Sequence, residues 1–278
     1  MKFKYFFSLL LLAGLTSCST DSEEVIPDNE LEGLVKIQTI QNHTHKLELY
    51  SANGDLQEGY NKIVFNLQTL DGREMISDAE IQWNPMMHME SMAHSAPKSE
   101  INKRTENLYE GYIIFTMAEN EIEYWSIDFD YTIDGEVFSL EAPITVLPTE
   151  RQKVTSFMGL DDKRYVLTLV EPTDPEVATN EVTIGLFQMA NMMEYPVMDG
   201  YRILIDPRMP GMGNHSSPNN VHLTRFASDD FYHGKLNLTM SGYWRINLIL
   251  HNEHGEVVKG EPVDEINESS SLYVELEF

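Results

Sequence analysis

The same order of short β-forming segments runs twice along this chain of 278 residues, which confines it to architectures built from two copies of one small unit. In the first pass, Lys46–Tyr50, Lys62–Leu67, Ala79–Trp83, Gly111–Phe115 and Tyr124–Phe129 are rich in β-branched and aromatic residues. They alternate partly with period two, as half-buried strands do. Asn53-Gly54, Asp71-Gly72 and Asp134-Gly135 supply turn chemistry between or after them. In the second pass, Tyr165–Leu169, Glu181–Phe187 and Tyr201–Ile205 answer the first three segments, Asp206-Pro207 answers Asn84-Pro85, and Trp244 answers Trp125. Tyr109-x-Gly111 with Thr116-Met117 returns at identical spacing as Tyr232-x-Gly234 with Thr239-Met240, and Gly135-Glu-Val137 returns as Gly255-Glu-Val257. No stretch keeps a helical period with caps at both ends.

Each copy has the size and strand density of a small sandwich domain, roughly 120 residues with about seven strands. The expected fold is therefore all-β, with two tandem immunoglobulin-like β-sandwich domains over residues 33–149 and 150–278. Two-layer packing would turn Trp125 and Trp244 inward.

The N-terminus reads as a targeting segment. Met1–Lys4 is basic, Tyr5–Leu15 is apolar but short for a bilayer span, and Leu15-Thr-Ser-Cys18 follows with the chain's single cysteine. This resembles a bacterial lipobox, which implies a lipoprotein signal peptide over residues 1–18 and lipidation of Cys18. The alternative is an ordinary secretory signal with a chance cysteine. Residues 19–32 form an acidic tether that begins Ser19-Thr-Asp-Ser-Glu-Glu24. Serine after the cysteine, and the acidic run, resemble sorting and export signals of Bacteroidota lipoproteins. Outer-membrane attachment is expected, facing either the periplasm or the cell surface. One cysteine rules out a disulfide framework. A net charge of −26, with 45 Asp plus Glu against 19 Lys plus Arg, argues against nucleic acid as a partner.

Chemistry concentrates in one place per copy. After Pro85 come Met86, Met87, His88, Met89, Met92 and His94; after Pro207 come Met209, Met212 and His215. Both clusters are expected in the connection between two strands, where ligand groups are usually displayed. Thioether sulfur and imidazole nitrogen are a soft ligand set suited to Cu(I). Aligning Met89-x-x-Met92-x-His94-Ser-x-Pro97 with Met209-x-x-Met212-x-x-His215-Ser-x-Pro218 selects Met89, Met92, His94, Met209, Met212 and His215 as metal ligands, with Met86, Met87 and His88 as extras of the first copy. Met75, Met117, Met158 and Met240 read as packing residues. Met189, Met192, Met193 and Met198 read either as loop packing or as support for a ligand cluster. His251 and His254 belong to a turn, since His254 aligns with Asp134. His43 and His45 are expected at the surface; His222 and His233 have no histidine counterparts in the first copy.

The strand before Pro207, the Met209-Pro-Gly-Met-Gly-Asn-His215 segment, Tyr232-x-Gly234, Thr239-Met240 and Trp244-Arg-Ile246 together resemble the YtkA-like and FixH-like family of membrane-anchored or secreted sandwich domains. The resemblance covers most of the chain after the tether. It implies copper handling and a copper donor or acceptor protein as partner. The first copy departs from the pattern, with Met89-Glu-Ser-Met92 in place of Met209-Pro-Gly-Met212.

Enzyme signatures are missing: there is no Gly-x-Ser-x-Gly elbow, His-Glu-x-x-His pair, phosphate-cradling glycine loop or cysteine nucleophile. The expected function is non-enzymatic: a lipid-anchored envelope protein that binds copper for storage, delivery or protection, more weakly near pH 5 where imidazole is protonated. The alternative is a structural or interaction module whose methionines form an adaptable apolar contact.

Overall fold

The computed structural model describes residues 30–226 and 229–278; Cys18, the leader and the tether up to residue 29 lie outside the described residues. The protein is all-β. The strands of the first half are β1 (Val35–Gln41), β2 (His45–Ser51), β3 (Leu56–Gln57), β4 (Gly59–Thr69), β5 (Glu80–His88), β6 (Ala93–His94), β7 (Asn102–Lys103), β8 (Tyr109–Phe115), β9 (Tyr124–Ile133), β10 (Glu136–Ile144) and β11 (Val146–Leu147). Those of the second half are β12 (Val154–Met158), β13 (Arg164–Glu171), β14 (Thr179–Gln188), β15 (Arg202–Met209), β16 (His215–Ser216), β17 (Val221–Arg225), β18 (Phe231–Asn237), β19 (Tyr243–His251), β20 (Val257–Lys259) and β21 (Tyr273–Glu277).

In the first half a sheet ordered β1-β2-β4-β8-β7 and a sheet ordered β10-β9-β5-β6 enclose one apolar core, drawn from residues between Ile40 and Val146. In the second half the strand order runs β12-β13-β14-β18-β17-β15-β19-β20 around a core drawn from residues between Phe157 and Leu276. Here β17 pairs with both β18 and β15, so it joins the two layers along one edge, whereas its counterpart β7 pairs with β8. Cross-strand register fixes the correspondence between halves. Trp125 lies opposite Ile144 of β10, and Trp244 lies opposite Leu276 of β21, so β20 and β21 together replace the single strand β10.

The methionine-rich segment after Pro85 is not the open connection expected from sequence. β5 continues through Met86 and Met87 to His88, and β15 continues through Pro207 to Met209. Each proline precedes the residues where the second flank is laddered, since β6 meets β5 at Met87 and His88 and β16 meets β15 at Arg208 and Met209; Pro207 needs only its carbonyl there, which accepts the Ser217 amide at 3.3 Å.

The repeated Tyr-x-Gly pattern has a packing explanation. The Tyr109 hydroxyl donates to the Ile76 carbonyl at 3.2 Å, and the Tyr232 hydroxyl donates to the Met198 carbonyl at 2.9 Å, so each ties down the segment that enters β5 or β15. Two residues on, a Cβ at Gly111 would stand 2.6 Å from the Trp83 ring, and one at Gly234 would strike the Val221 carbonyl oxygen. Gly111→Ala and Gly234→Ala are each expected to cost about 2 kcal/mol of stability through overpacking, read as a lower urea midpoint.

A third apolar cluster joins the halves: Tyr112 and Ile114 of β8 pack with Val166 of β13 and Phe187 of β14, flanked by Tyr60, Val154 and Phe231. The Tyr112 hydroxyl donates to Asp230 at 2.8 Å across this seam. Gly59, with φ of 97°, lets the second half approach closely, since a Cβ there would lie 3.2 Å from that of Lys153.

Candidate functional site

Antiparallel neighbours directly opposite each other project on the same face of a sheet. Across β9, β5 and β6 this places Trp125, Met87 and His94 in one inward-facing row. In the second half Arg208 lies opposite Arg245, which brings Met209 level with Trp244, and Met209 pairs with His215. Each half therefore carries the row Trp–Met–His at the same register. The partner of Met209 is Met87, not Met89: Met87 and Met209 each stand two residues after the strand proline, and the spacing-based alignment chose a methionine two residues farther on.

Each tryptophan is anchored through a methionine's main chain. The Trp125 indole donates to the Met117 carbonyl at 3.0 Å, and the Trp244 indole donates to the Met240 carbonyl at 2.9 Å. Met117 packs against the first core, and Met240 is 37% exposed. The Thr-Met pair recurs in sequence, but its methionine lies eight residues before Trp125 and four before Trp244.

The candidate ligands differ in access. Met87 is fully enclosed and Met209 is 5% exposed, so their thioethers lie in the cores. Met89 is half-buried, and its amide donates to the Met92 carbonyl at 2.9 Å, closing the hairpin turn; Met92 is 48% exposed. Met212 ends a 3-10 turn, Pro210–Met212, and is 60% exposed; Gly213 and Asn214, both at positive φ, then lead the chain back to the exposed His215. His94 is half-buried with its ring edge-on to Trp125, centroids 5.8 Å apart. Its Nδ1 lies 2.7 Å from the Ser95 carbonyl oxygen, which can only accept, so Nδ1 carries the proton and Nε2 presents a lone pair.

Met86 and His88 point to the opposite face of β5. His88 Nε2 lies 2.9 Å from the Ser126 hydroxyl, and the ring stacks on Tyr124 at 4.6 Å. Beside them Lys98 donates to Asn84 Oδ1 at 2.9 Å, and burial, reinforced by Glu141, raises the Asp128 carboxyl above its usual range. The second half carries different chemistry on this face: the Arg208 guanidinium holds both oxygens of Asp206, at 2.8 and 2.9 Å, and Arg245 lies over the Tyr273 ring. The inner row recurs and the outer face does not, which separates Met86 and His88 from Met87 and His94.

Three other histidines have structural partners. His251 Nδ1 donates to the Gly255 carbonyl at 3.0 Å, in the turn expected from sequence. His45, expected at the surface, packs edge-on against Tyr131 and Phe138. His222 Nδ1 accepts the Ile205 amide at 3.1 Å, so the folded state needs its neutral ring; burial, aided by Arg202, lowers its affinity for a proton. A depressed folded value means that this contribution is complete above the ordinary imidazole value of about 6.5 and is lost as pH falls below it. Thermal melts between about pH 7.5 and pH 5 should show a falling midpoint, and His222→Gln should flatten that dependence.

Among the described residues, no three His, Cys, Asp or Glu side chains gather as a metal site. No protein-family model matches this chain, and no curated protein matches it. Among solved structures it is similar to a conserved domain protein from Bacillus anthracis, at 8% identity and a TM-score of 0.33, over 90% of this chain and 93% of the other. It is also similar to a DUF4785 family protein from Legionella pneumophila, at 12% identity and a TM-score of 0.26, over 77% of this chain and 54% of the other. An endo-fucoidan hydrolase of glycoside hydrolase family 107 is similar at 11% identity and a TM-score of 0.21, over 80% of this chain and 37% of the other.

Proposed function

We propose that this protein is a lipid-anchored cell-envelope protein that binds copper as Cu(I), one ion at the end of each half, for storage, delivery or protection. The observation that carries the reading is the Trp–Met–His row, repeated at the same cross-strand register in both halves. In the second half the ligands are Met209, Met212 and His215. In the first they are Met87, which holds the place of Met209, with Met92 and His94, and Met89 at the hairpin turn is a further thioether. The Ser95 carbonyl supports the role of His94, because a metal-binding imidazole commonly donates its other ring N–H to such an acceptor and offers the remaining nitrogen. Thioethers suit this role in an oxidising envelope, where thiolates would pair as disulfides. A net charge of −26 adds a field that concentrates cations. Copper supplies the redox-active, transferable cargo, and the chain supplies soft ligands and a tryptophan wall on one side. The resemblance to YtkA-like and FixH-like domains points the same way, as does the lipobox-like ending at Cys18.

Competition against a Cu(I) chelator, with the full chain in detergent, is expected to give two equivalents bound more tightly than micromolar. Binding of neither equivalent at that level would overturn the reading.

A second reading rests on the exposure of Met92, Met192, Met193 and Met212, four flexible apolar side chains open to solvent. They would form an adaptable contact for a partner protein. That reading predicts that leucine replaces them without loss and that copper leaves the melting temperature unchanged.

A further inference from the structure

A cleft of about 370 Å³ opens where the two halves meet, remote in sequence from both methionine hairpins. One wall comes from the first half, with Tyr60, Lys62 and Val64 of β4; the other comes from the second, with Lys153, Leu169 and Pro172. Clefts of this size at a junction between domains are where small molecules are usually held. Its charges are unevenly engaged. Glu58 gives one carboxylate oxygen to the Ala118 amide at 3.0 Å and the other to the Thr149 amide at 3.2 Å. Glu110 takes Lys62 at 3.1 Å and Arg104 at 3.5 Å, and Asp55 faces the Gln57 amide at 3.4 Å. Lys153 has no carboxylate within 4.0 Å among the described residues, although its surroundings desolvate it enough to weaken its hold on a proton. An unpaired ammonium in such a place gains from an incoming anion. Close by, the Tyr60 hydroxyl has no hydrogen-bond partner among the described residues; burial pushes it up to about 12, so it stays a donor at neutral pH. Leu169, 5% exposed, and Pro172 give the cleft an apolar side.

One unengaged cation, one hydroxyl donor and an apolar wall match a single negative charge attached to hydrocarbon. Phosphate, with more charge and no apolar part, fits them poorly. We propose that this cleft is a binding site for a small organic monocarboxylate, with its carboxylate on Lys153 and Tyr60 and its carbon chain against Leu169 and Pro172. The site is independent of copper. A ligand there touches both halves and fixes their relative position.

The test titrates the full chain calorimetrically with hexanoate, hexanol and inorganic phosphate as probes. Hexanoate should saturate at least about tenfold more tightly than either of the others. Lys153→Met should lower hexanoate affinity by about tenfold while leaving hexanol binding unchanged, and Lys153→Arg should restore it. Equal binding of hexanoate and hexanol, preference for phosphate, or full hexanoate binding by Lys153→Met overturns the proposal. A readout that needs no variant is the ¹³C signal of reductively methylated Lys153 in the wild-type chain. Its titration should move to higher pH when hexanoate is present, and an unmoved titration also overturns the proposal.

Discussion

Replacing Trp244 with alanine is expected to unfold the second half while the first half stays folded. The side chain is fully buried, its indole donates to the Met240 carbonyl, and Leu276 and Met209 flank it on the neighbouring strands. Truncating a buried tryptophan costs about 3–5 kcal/mol in cavity and lost contacts, a large share of the 5–15 kcal/mol that holds a domain. The remaining donor–acceptor pair is also broken, leaving the Met240 carbonyl without its partner. Because the two large buried clusters divide between residues 40–146 and 157–276, and only the small seam around Tyr112 and Phe187 is shared, the damage should stay largely local. The chain has three tryptophans, and the other two, Trp83 and Trp125, both report on the first half. Fluorescence of Trp244→Ala should therefore keep one cooperative urea transition, while far-UV dichroism loses the second half's share of strand signal before any denaturant is added. A single transition of unchanged midpoint in both signals would show that the tryptophan is not the keystone of its core.

The second large effect is on metal affinity. Met209→Leu combined with His215→Ala is expected to remove one of the two copper equivalents and leave the other intact. Leucine is close in volume to methionine, so the exchange costs under about 1.5 kcal/mol even at a buried site. His215 is exposed, so its truncation perturbs packing little. Stability should thus change little while Cu(I) affinity at that end falls by more than the ten- to hundredfold typical of losing only an outer-shell partner. Met87→Leu with His94→Ala should do the same at the other end, and the four changes together should abolish binding. Loss of both equivalents from the first pair alone would mean that the ends are not separate sites.

Much of this architecture was legible because alternation in the sequence is a direct imprint of a half-buried strand. Segments such as Lys46–Tyr50 and Gly111–Phe115 fall inside β2 and β8, and the repeat alone matches Trp125 of β9 with Trp244 of β19. What failed was register within the methionine hairpins. Between the paired residues Met87 and His94 lie residues 88–93, whereas between Met209 and His215 lie residues 210–214. The motif alignment matched Met89 to Met209, two residues beyond the paired position, because the methionines repeat along the strand and only pairing across β9 and β6 tells them apart. Met87, taken as an extra, therefore holds the repeated position, and Met86 and His88, one residue to either side, face away from it. β10 and β21 escaped notice for different reasons. Pro143 interrupts the first pattern, and the polar run 264–271 separates β21 from the hairpin it completes. The double pairing of β17 depends on which strands come to flank it, a tertiary outcome with no local signature. The interdomain cleft is hidden for the same reason, since Tyr60 and Leu169 meet only once both halves are folded and docked.

The most direct test of copper as the cargo is the X-ray absorption spectrum at the copper edge of the full chain, loaded with Cu(I) and then desalted. The proposed sites predict retained copper whose nearest shell mixes thioether sulfur with imidazole nitrogen, and whose sulfur contribution drops when Met209 and Met212 are changed to leucine. Copper that washes out on desalting, or a shell of nitrogen and oxygen unaffected by those substitutions, would contradict it.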